Sequence, residues 1–304
     1  MNTPSRILSI VLYFLAALWV SVAALPFIWT LWGSFKFETD FFGQWTKNIT
    51  GQDTLREFDR YFTALGYEIA FSPQKGFGQA VVNTLIVTLS VVLISLTFGT
   101  LGGYALARST AKYAFWILIV ALVFRAMPHI TLVSGYMEPL FAIRLPEVRV
   151  FGWTWIEGGT LWGRTFIAIV VLVAINQPFT IWMMRSFFMN IPAELDESAL
   201  VDGCNRLQGF WHVIMPLMWP GVVTTGLFSF LLAYNDFTVT SALLSQENTT
   251  MIPRTAGFLG SAQSDGEQMA AVAAVVTATA PLFVLIMVFQ RQLVSGLTAG
   301  AVKG

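Results

Sequence analysis

The stretch Val81–Ala107 reads VVNTLIVTLSVVLISLTFGTLGGYALA and contains no charged side chain. A helix needs about 20 mostly apolar residues to cross roughly 30 Å of bilayer hydrocarbon. This stretch meets both requirements. It therefore predicts a transmembrane helix and favours an all-α membrane protein.

Five further stretches have a similar length and composition, which gives six predicted spans. Arg125 and Asp236 are the charged residues that lie well inside a span. An even number of spans places both termini on the same side of the membrane. The five stretches are Ile7–Trp32, Tyr113–Met137, Phe166–Phe187, Gly221–Leu244 and Met269–Phe289.

The first span has an alternative interpretation as a cleaved signal peptide. Arg6 precedes it, and Val22-Ala23-Ala24 resembles a cleavage site. Its apolar run is longer than the usual 7–15 residues of a signal peptide, and it ends in an aromatic group of the kind that marks a membrane interface. An uncleaved membrane anchor is the favoured interpretation.

Overall composition agrees with a membrane protein. The chain has 304 residues, of which 56% are hydrophobic and 11% charged, whereas soluble domains carry about 25% charged residues. The mean hydropathy is +0.67. The formal net charge is zero, so the chain lacks the basic excess that would suggest a nucleic-acid partner. Cys204, His129 and His212 are too few for an internal disulfide or a metal cluster.

The segment from Asn190 to Gly221, between the fourth and fifth spans, carries the functional signal. It begins NIPAELDESALVDG and continues CNRLQGFWHVIMPL. Proline suits the first turn of a helix and glycine the position after its end, so we expect a helix over Pro192–Asp202 of about 16 Å. Acidic side chains favour the first turns of a helix, and here they are Glu194, Asp196 and Glu197.

One face of this predicted helix is small and shallow, which suits packing into a groove. After Gly203 the chain is expected to turn into a second amphipathic stretch, Leu207–Met215, and to re-enter the membrane at Pro216. The members of the small face are Leu195, Ser198, Ala199 and Asp202.

The spacing of Glu197-Ser198-Ala199, Gly203 and Val213-Ile214-Met215-Pro216 resembles the EAA loop of binding-protein-dependent ABC permeases. In that motif Glu-Ala-Ala is followed by three residues, Gly, nine residues and Ile-x-Leu-Pro. The resemblance implies that residues 190–221 form a cytoplasmic loop whose coupling helix docks on an ATPase subunit. The expected coupling residues are Glu194, Glu197, Ser198, Ala199, Asp202, Gly203 and Pro216.

The resemblance covers most of the chain and is greatest for carbohydrate permeases of the maltose (MalG) type. Glu147–Gly163 departs from the pattern as a longer external connector. The tail 293–304 is expected to be flexible and, by resemblance, to reach the ATPase dimer through Gly300, Lys303 and Gly304. The other similar segments are Asn83–Val87, Gly102–Arg108, Arg125–Pro128, Gln177–Phe179, Arg185–Phe188 and Tyr234–Phe237.

The resemblance implies a type I ABC importer permease fold over the single domain 1–304. It implies import of a sugar or related polyhydroxylated solute together with a second homologous permease, an ATPase dimer and an extracytoplasmic solute-binding protein. The expected location is the bacterial inner membrane with cytoplasmic termini, which the positive-inside rule also favours. The sequence lacks a Walker A motif, so ATP and Mg²⁺ are expected on the partner ATPase. This chain is expected to hold no cofactor and to be no enzyme.

A second group of candidate residues lies inside the predicted spans, where charge is costly and commonly functional. These residues either line a translocation path or hold spans together, for example through an Arg125–Asp236 pair, and both interpretations stay open. Trp153 and Trp155 either stack on sugar or lie at the membrane interface. The candidate path residues are Arg125, His129, Tyr234, Asn235 and Asp236.

Two other functional classes compete with an ATP-driven permease. An ion-coupled secondary transporter would use Arg125 and Asp236 as a relay and would show inverted repeats with broken helices. Neither feature is clear in the sequence. A membrane-embedded enzyme would need a cluster of nucleophilic or metal-binding residues near one face, and the sequence offers no such set.

Overall fold

The computed structural model describes residues 6–36, 63–145, 148–150, 153–156, 159–160, 164–260 and 265–301. These residues are almost entirely helical, which confirms the predicted fold class. The helices are α1 (Arg6–Gly33), α2 (Leu65–Ala70), α3 (Phe77–Arg108), α4 (Lys112–Arg125), α5 (His129–Ala142), α6 (Thr165–Phe188), α7 (Glu194–Val201), α8 (Arg206–Gly209), α9 (Met215–Tyr234), α10 (Thr238–Leu243), α11 (Met251–Gly260) and α12 (Asp265–Ala301).

Among the described residues, five helical segments are long and apolar enough to cross a membrane, and a bent pair of helices makes a sixth if it is counted as one span. The predicted number of spans is therefore confirmed when the bent pair is counted as one span. The five segments are Leu8–Gly33, Phe77–Arg108, Thr165–Phe188, Arg206–Tyr234 and Glu267–Gln292.

The third predicted span, Tyr113–Met137, is not one straight helix. Phe115–Arg125 and His129–Gly135 meet at 93°. Pro128 is the N-cap of α5, with φ −55° and ψ 126°. Proline has no N–H to donate and disfavours helical backbone at the residue before it. Pro128 therefore breaks the span into two helices.

The fifth predicted span, Gly221–Leu244, has different ends in the structure. α9 ends at Tyr234, and the chain starts the separate helix α10 at Thr238. At the other end, helical backbone continues from α8 through a π-helical turn, Phe210–Ile214, into α9. The apolar composition of the stretch did not reveal the polar break between α9 and α10.

The connector between α5 and α6 contains four short strands, which the all-α prediction did not include. They are β1 (Arg144–Leu145), β2 (Val148–Val150), β3 (Trp153–Ile156) and β4 (Gly159–Thr160). β2 pairs with β3 and β1 with β4, both antiparallel. The connector therefore forms two nested ladders. The side chains of Trp153 and Trp155 lie outside the described part, so their predicted roles stay predictions.

The chain divides into two compact units. The first contains the described residues of Met1–Gly78 and Arg254–Pro281, and its part-buried ion pair joins Lys75 to Glu267 at 2.7 Å. The second contains the described residues of Gln79–Pro253 and Leu282–Gly304. Its apolar core is built from residues of α3, α5, α6, α9 and α10.

Close helix packing in the second unit depends on glycine. Gly99 and Gly103 lie one turn apart on α3 and face α6. A methyl group at Gly103 would lie 2.6 Å from Met184 Cβ, and one at Gly99 would overlap the side chain of Thr180. Small residues spaced four apart let helix backbones approach closely in membranes. α3 and α6 therefore pack as one closely fitted pair.

Candidate functional site

The predicted short helix exists as α7, which covers Glu194–Val201 and is shorter than the predicted Pro192–Asp202. Gly203 ends it with φ +90°. The Gly203 N–H donates to the Leu200 carbonyl at 3.1 Å, and the Cys204 N–H donates to the Ala199 carbonyl at 3.0 Å. These two bonds form a Schellman motif. The predicted role of Gly203 as a helix stop is confirmed.

A second set of caps begins the return toward the membrane. The Asn205 side chain accepts from the Gln208 N–H at 2.8 Å, and the Gln208 side chain accepts from the Asn205 N–H at 2.9 Å. This reciprocal pair is a capping box, and it starts α8 directly after the turn. Since α8 continues through Phe210–Ile214 into α9, α7 is connected to two long helices, α6 before it and α9 after it.

The inward face of α7 is apolar. Ala199 is 3% exposed, and a methyl group at Gly209 would lie 3.2 Å from Ala199 Cβ. Leu195 packs against a group that we call the base cluster. The predicted small face is therefore divided: Ala199 is buried and Leu195 is partly buried against the body of the chain, whereas Ser198 and Asp202 are exposed. The base cluster is Met184, Phe188, Phe210, Ile214 and Met218.

The outward face of α7 combines acidic and apolar side chains. Four of the predicted coupling residues are exposed there, namely Glu194, Glu197, Ser198 and Asp202. Sequence reasoning missed Leu200 and Val201, which are 47% and 87% exposed. The available signal was their spacing: Leu200 and Val201 lie three and four residues after Glu197, so all three are neighbours on the helix surface. Pro216, at the start of α9, is also exposed.

A polar bracket holds the first turn of α7 against the end of α3. Arg108 Nε donates to Asp196 Oδ2 at 2.7 Å, and the Tyr104 hydroxyl donates to Asp196 Oδ1 at 2.6 Å. Arg108 Nη1 also donates to the carbonyl oxygens of Phe188 and Ile191, at 3.3 and 3.2 Å. Asp196 is thus the acidic residue of α7 that faces its own chain.

Helix dipoles favour this charge arrangement. Arg108 is the last residue of α3, and its guanidinium also meets the carbonyl end of α6. Asp196 lies in the first turn of α7. Cations are favoured at the carbonyl ends of helices and anions at the amino ends. Sequence reasoning named both residues in other contexts but did not pair them, because their separation along the chain concealed the contact.

The intramembrane candidates do not form one cluster. Arg125 lies over the Phe179 ring, 4.5 Å from its centroid, and among the described residues it makes no ion pair with Asp236. Asp236 Oδ1 instead accepts from the Thr240 N–H at 2.9 Å and caps α10. The alternative in which Arg125 pairs with Asp236 is therefore wrong. His129 is the first residue of α5.

The remaining predicted residues are separate from these contacts. Tyr234 is buried and stacks on Phe230 with the ring centroids 5.3 Å apart. Asn235 is exposed and donates to the Leu231 carbonyl at 2.9 Å. Gly300 lies in α12, which continues to Ala301, so the predicted flexible tail is helical up to that residue. Lys303 and Gly304 lie outside the described residues.

In the part of the chain that the structure describes, no three His, Cys, Asp or Glu residues come together as a metal site would require. The arrangement around α7 has three parts. It consists of a short capped helix, an apolar base under it and a polar bracket at its first turn. Its outward face is open for contact with another protein.

Comparison with known proteins gives a consistent result. Residues 95–298 match the family described as binding-protein-dependent transport system inner membrane component. The trehalose/maltose transport system permease protein MalG of Thermococcus litoralis is 28% identical over 98% of this chain and 99% of its own length. The sulfoquinovosyl glycerol transport system permease protein SmoH of Agrobacterium fabrum is 31% identical over 92% of this chain and 88% of its own length.

A solved structure shows the same fold. It is the crystal structure of a bacterial ABC transporter involved in the import of the acidic polysaccharide alginate. The matched chain superposes with a TM-score of 0.69 and 21% sequence identity. The match covers 96% of this chain and 99% of that one.

Proposed function

The chain belongs to the binding-protein-dependent transport system inner membrane components, and from this membership we propose that it imports a sugar or related polyhydroxylated solute by coupling a partner ATPase to alternating access through α7. It is a permease subunit of an ABC importer, a multi-pass inner-membrane protein and not an enzyme. The solute class, the coupling residues and the assembly are the proposed part.

The observation that carries the coupling role is the construction of α7. A helix that transmits force must be rigid and must expose a face to the partner. The Schellman stop and the Asp196 bracket fix both ends of α7, while Val201 and Leu200 stay exposed beside Glu197. An apolar centre with a polar rim is the general construction of a protein interface. This combination supports docking of α7 into a groove on the ATPase.

The proposed assembly contains a second homologous permease, two ATPase subunits that bind ATP and Mg²⁺, and an extracytoplasmic binding protein that delivers solute. α7 then faces the cytoplasm, and both termini lie on that side. The tail residues Gly300, Lys303 and Gly304 extend the contact with the ATPase. ATP binding closes the ATPase dimer, moves α7 and biases the permease pair between two states.

Two relatives support the solute class. The name of the Thermococcus litoralis protein specifies trehalose and maltose, and that of the Agrobacterium fabrum protein specifies sulfoquinovosyl glycerol. All three solutes are glycosides. The five intramembrane candidates, Arg125, His129, Tyr234, Asn235 and Asp236, remain the proposed lining of the path. Thermal-shift measurements on the partner binding protein, with a panel of disaccharides, monosaccharides, sugar alcohols, sulfonated sugars and glycerol phosphate, test the class. Stabilisation by none of them would contradict it.

Reconstitution with the ATPase tests the coupling face. Val201→Arg replaces an apolar contact in the proposed interface with a guanidinium, and removing a charged group from water costs several kcal/mol even when an acidic partner is near. We expect at least 100-fold weaker association with the ATPase and loss of uptake. Because Val201 is 87% exposed, the fold of the permease should tolerate the change. Glu197→Lys should act in the same direction with a smaller effect.

Two controls define the result. Val201→Leu keeps the apolar character of the same position and should keep association and uptake. Glu68→Lys changes the charge of an exposed glutamate on α2, a helix that takes no part in the coupling face. If Val201→Arg and Glu197→Lys both retain the ATPase and normal uptake, α7 is not the docking element.

A further inference from the structure

We propose that Arg108, with Tyr104, is a positioning residue of the transport cycle that transmits displacement of α7 to α3. This inference rests on the proposed coupling role of α7 and adds a second route for the movement. Along the chain, α7 is connected to α6 before it and, through α8 and the π-helical turn, to α9 after it. α3 does not adjoin α7 along the chain. Only noncovalent contacts can therefore make α3 move together with α7.

Arg108 joins three segments through one planar group. Its Nε binds Asp196 on α7, and its Nη1 binds the carbonyl oxygens of Phe188 at the end of α6 and of Ile191 in the linker. A guanidinium holds several acceptors in fixed directions, which an ammonium cannot do. The side chains of Arg108 and Asp196 are 21% and 22% exposed, so water screens their attraction less than at an open surface.

Tyr104 adds an aromatic contact to the polar one. Its ring lies 4.8 Å from the Phe210 ring and 5.3 Å from the Phe188 ring, measured between centroids. Its hydroxyl donates to Asp196 at 2.6 Å. The residue thus lies between the base cluster under α7 and the first turn of α7. Because Tyr104 belongs to α3, a shift of α7 is passed directly to α3.

The close α3–α6 packing carries the movement further along α3. Gly103 and Gly99 hold α3 against Met184 and Thr180 of α6 without space for a methyl group. Packed cores shift between discrete arrangements and do not deform continuously. The bracket at Arg108 therefore engages α3 at its end, and the glycine packing makes α3 and α6 respond together.

Single substitutions test the bracket in the reconstituted transporter. Arg108→Gln removes the ion pair and changes the donor geometry, while Asp196→Asn removes the charge and keeps the shape. Both leave the outward face of α7 unaltered, so the ATPase subunit should co-purify in normal amounts. We expect uptake to fall about tenfold, a typical factor for lost charge-assisted hydrogen bonds. The ATP hydrolysed per solute imported should rise by the same factor.

Three further variants separate positioning from simple loss of stability. Arg108→Lys keeps the charge but not the planar fork, and it should not restore uptake. Arg108→Asp combined with Asp196→Arg re-forms a pair of opposite charges and should recover more uptake than either of its single changes. Tyr104→Phe removes one hydrogen bond and keeps the ring contacts, so its effect should be the mildest.

The Lys75–Glu267 ion pair is a matched control. It has the same 2.7 Å distance and a similar exposure of 31% and 23%, and it includes no residue of α7. Lys75→Gln should leave the ratio of ATP hydrolysed to solute imported unchanged.

The outcomes distinguish this inference from the proposed function. If Val201→Arg abolishes ATPase association while Arg108→Gln and Asp196→Asn keep the wild-type ratio, α7 docks but the bracket transmits nothing. If Val201→Arg retains association and uptake, the coupling role itself fails. A rise in the ratio for the bracket variants alone, with co-purification intact, supports the inference.

Discussion

Replacing Gly203 with alanine separates the backbone energetics of α7 from its packing. Gly203 has φ +90°, and among the described residues no atom lies within 4 Å of the position that a methyl group would take. The left-handed conformation costs an L-residue with a Cβ roughly 1–2 kcal/mol. Alanine also restricts the unfolded chain, which returns about 0.4–1 kcal/mol. The expected net destabilisation of the helix stop is about 1 kcal/mol.

Hydrogen exchange at the two Schellman donors measures this local cost. A loss of about 1 kcal/mol raises roughly fivefold the fraction of molecules in which the Schellman hydrogen bonds are broken. The Gly203 and Cys204 amides should therefore exchange about fivefold faster in Gly203→Ala. Gly203→Asn should show a much smaller effect, since asparagine enters the left-handed region readily. Uptake should decrease in the same order, because a loosened stop leaves α7 less rigid.

Gly135→Ala is the matched control for this experiment. Gly135 lies inside α5, and there too no described atom lies within 4 Å of the place where an added methyl group would sit, but its φ is not in the left-handed range. Alanine there should stabilise the helix by up to about 1 kcal/mol. The two Gly→Ala changes are therefore expected to have opposite signs. Unchanged exchange at Cys204 in Gly203→Ala would refute the backbone argument.

Two further predictions concern packing and capping. Gly103→Val should destabilise the second unit by about 1–3 kcal/mol, because the larger side chain overpacks against Met184. A thermal unfolding transition as high as that of the wild type would contradict the α3–α6 contact. Asp236→Ala should cost about 1 kcal/mol by removing the cap of α10, whereas Asp236→Asn should cost less; equal transition temperatures for both would show that the cap is not what Asp236 contributes.

The positions of the spans were largely predictable, because spans are set by length and hydropathy. The breaks within them were not. Pro128 lies at the break between α4 and α5, but proline is tolerated inside other helices, at Pro178 in α6 and Pro281 in α12. Whether a proline breaks a helix depends on whether neighbouring segments donate hydrogen bonds to the carbonyl groups that the proline leaves unpaired. A single sequence does not contain that information.

The sequence predicted the helix-end signals of the candidate site but not the contacts between residues distant along the chain. Gly203 and the acidic first turn depend on local rules that act within a few residues, and the structure has both. The Arg108–Asp196 pair depends on two segments that meet only after α3 and α6 have packed. The Arg125–Asp236 pair failed for a related reason, since the aromatic ring of Phe179 and the Thr240 amide lie nearer to these two groups.

The small residues of the coupling motif therefore have an internal role in the structure. Ala199 packs where a methyl group at Gly209 would lie only 3.2 Å away, and a larger side chain at either position would force α7 away from α8. Gly203 sets the angle of the turn between them. The motif thus fixes how α7 is mounted on its own chain. In the proposed assembly, the exposed side chains of Leu200 and Val201 supply the apolar contact with the ATPase beside Glu197. Since both lie between the small residues of the motif, their identity is where recognition of one ATPase over another should reside.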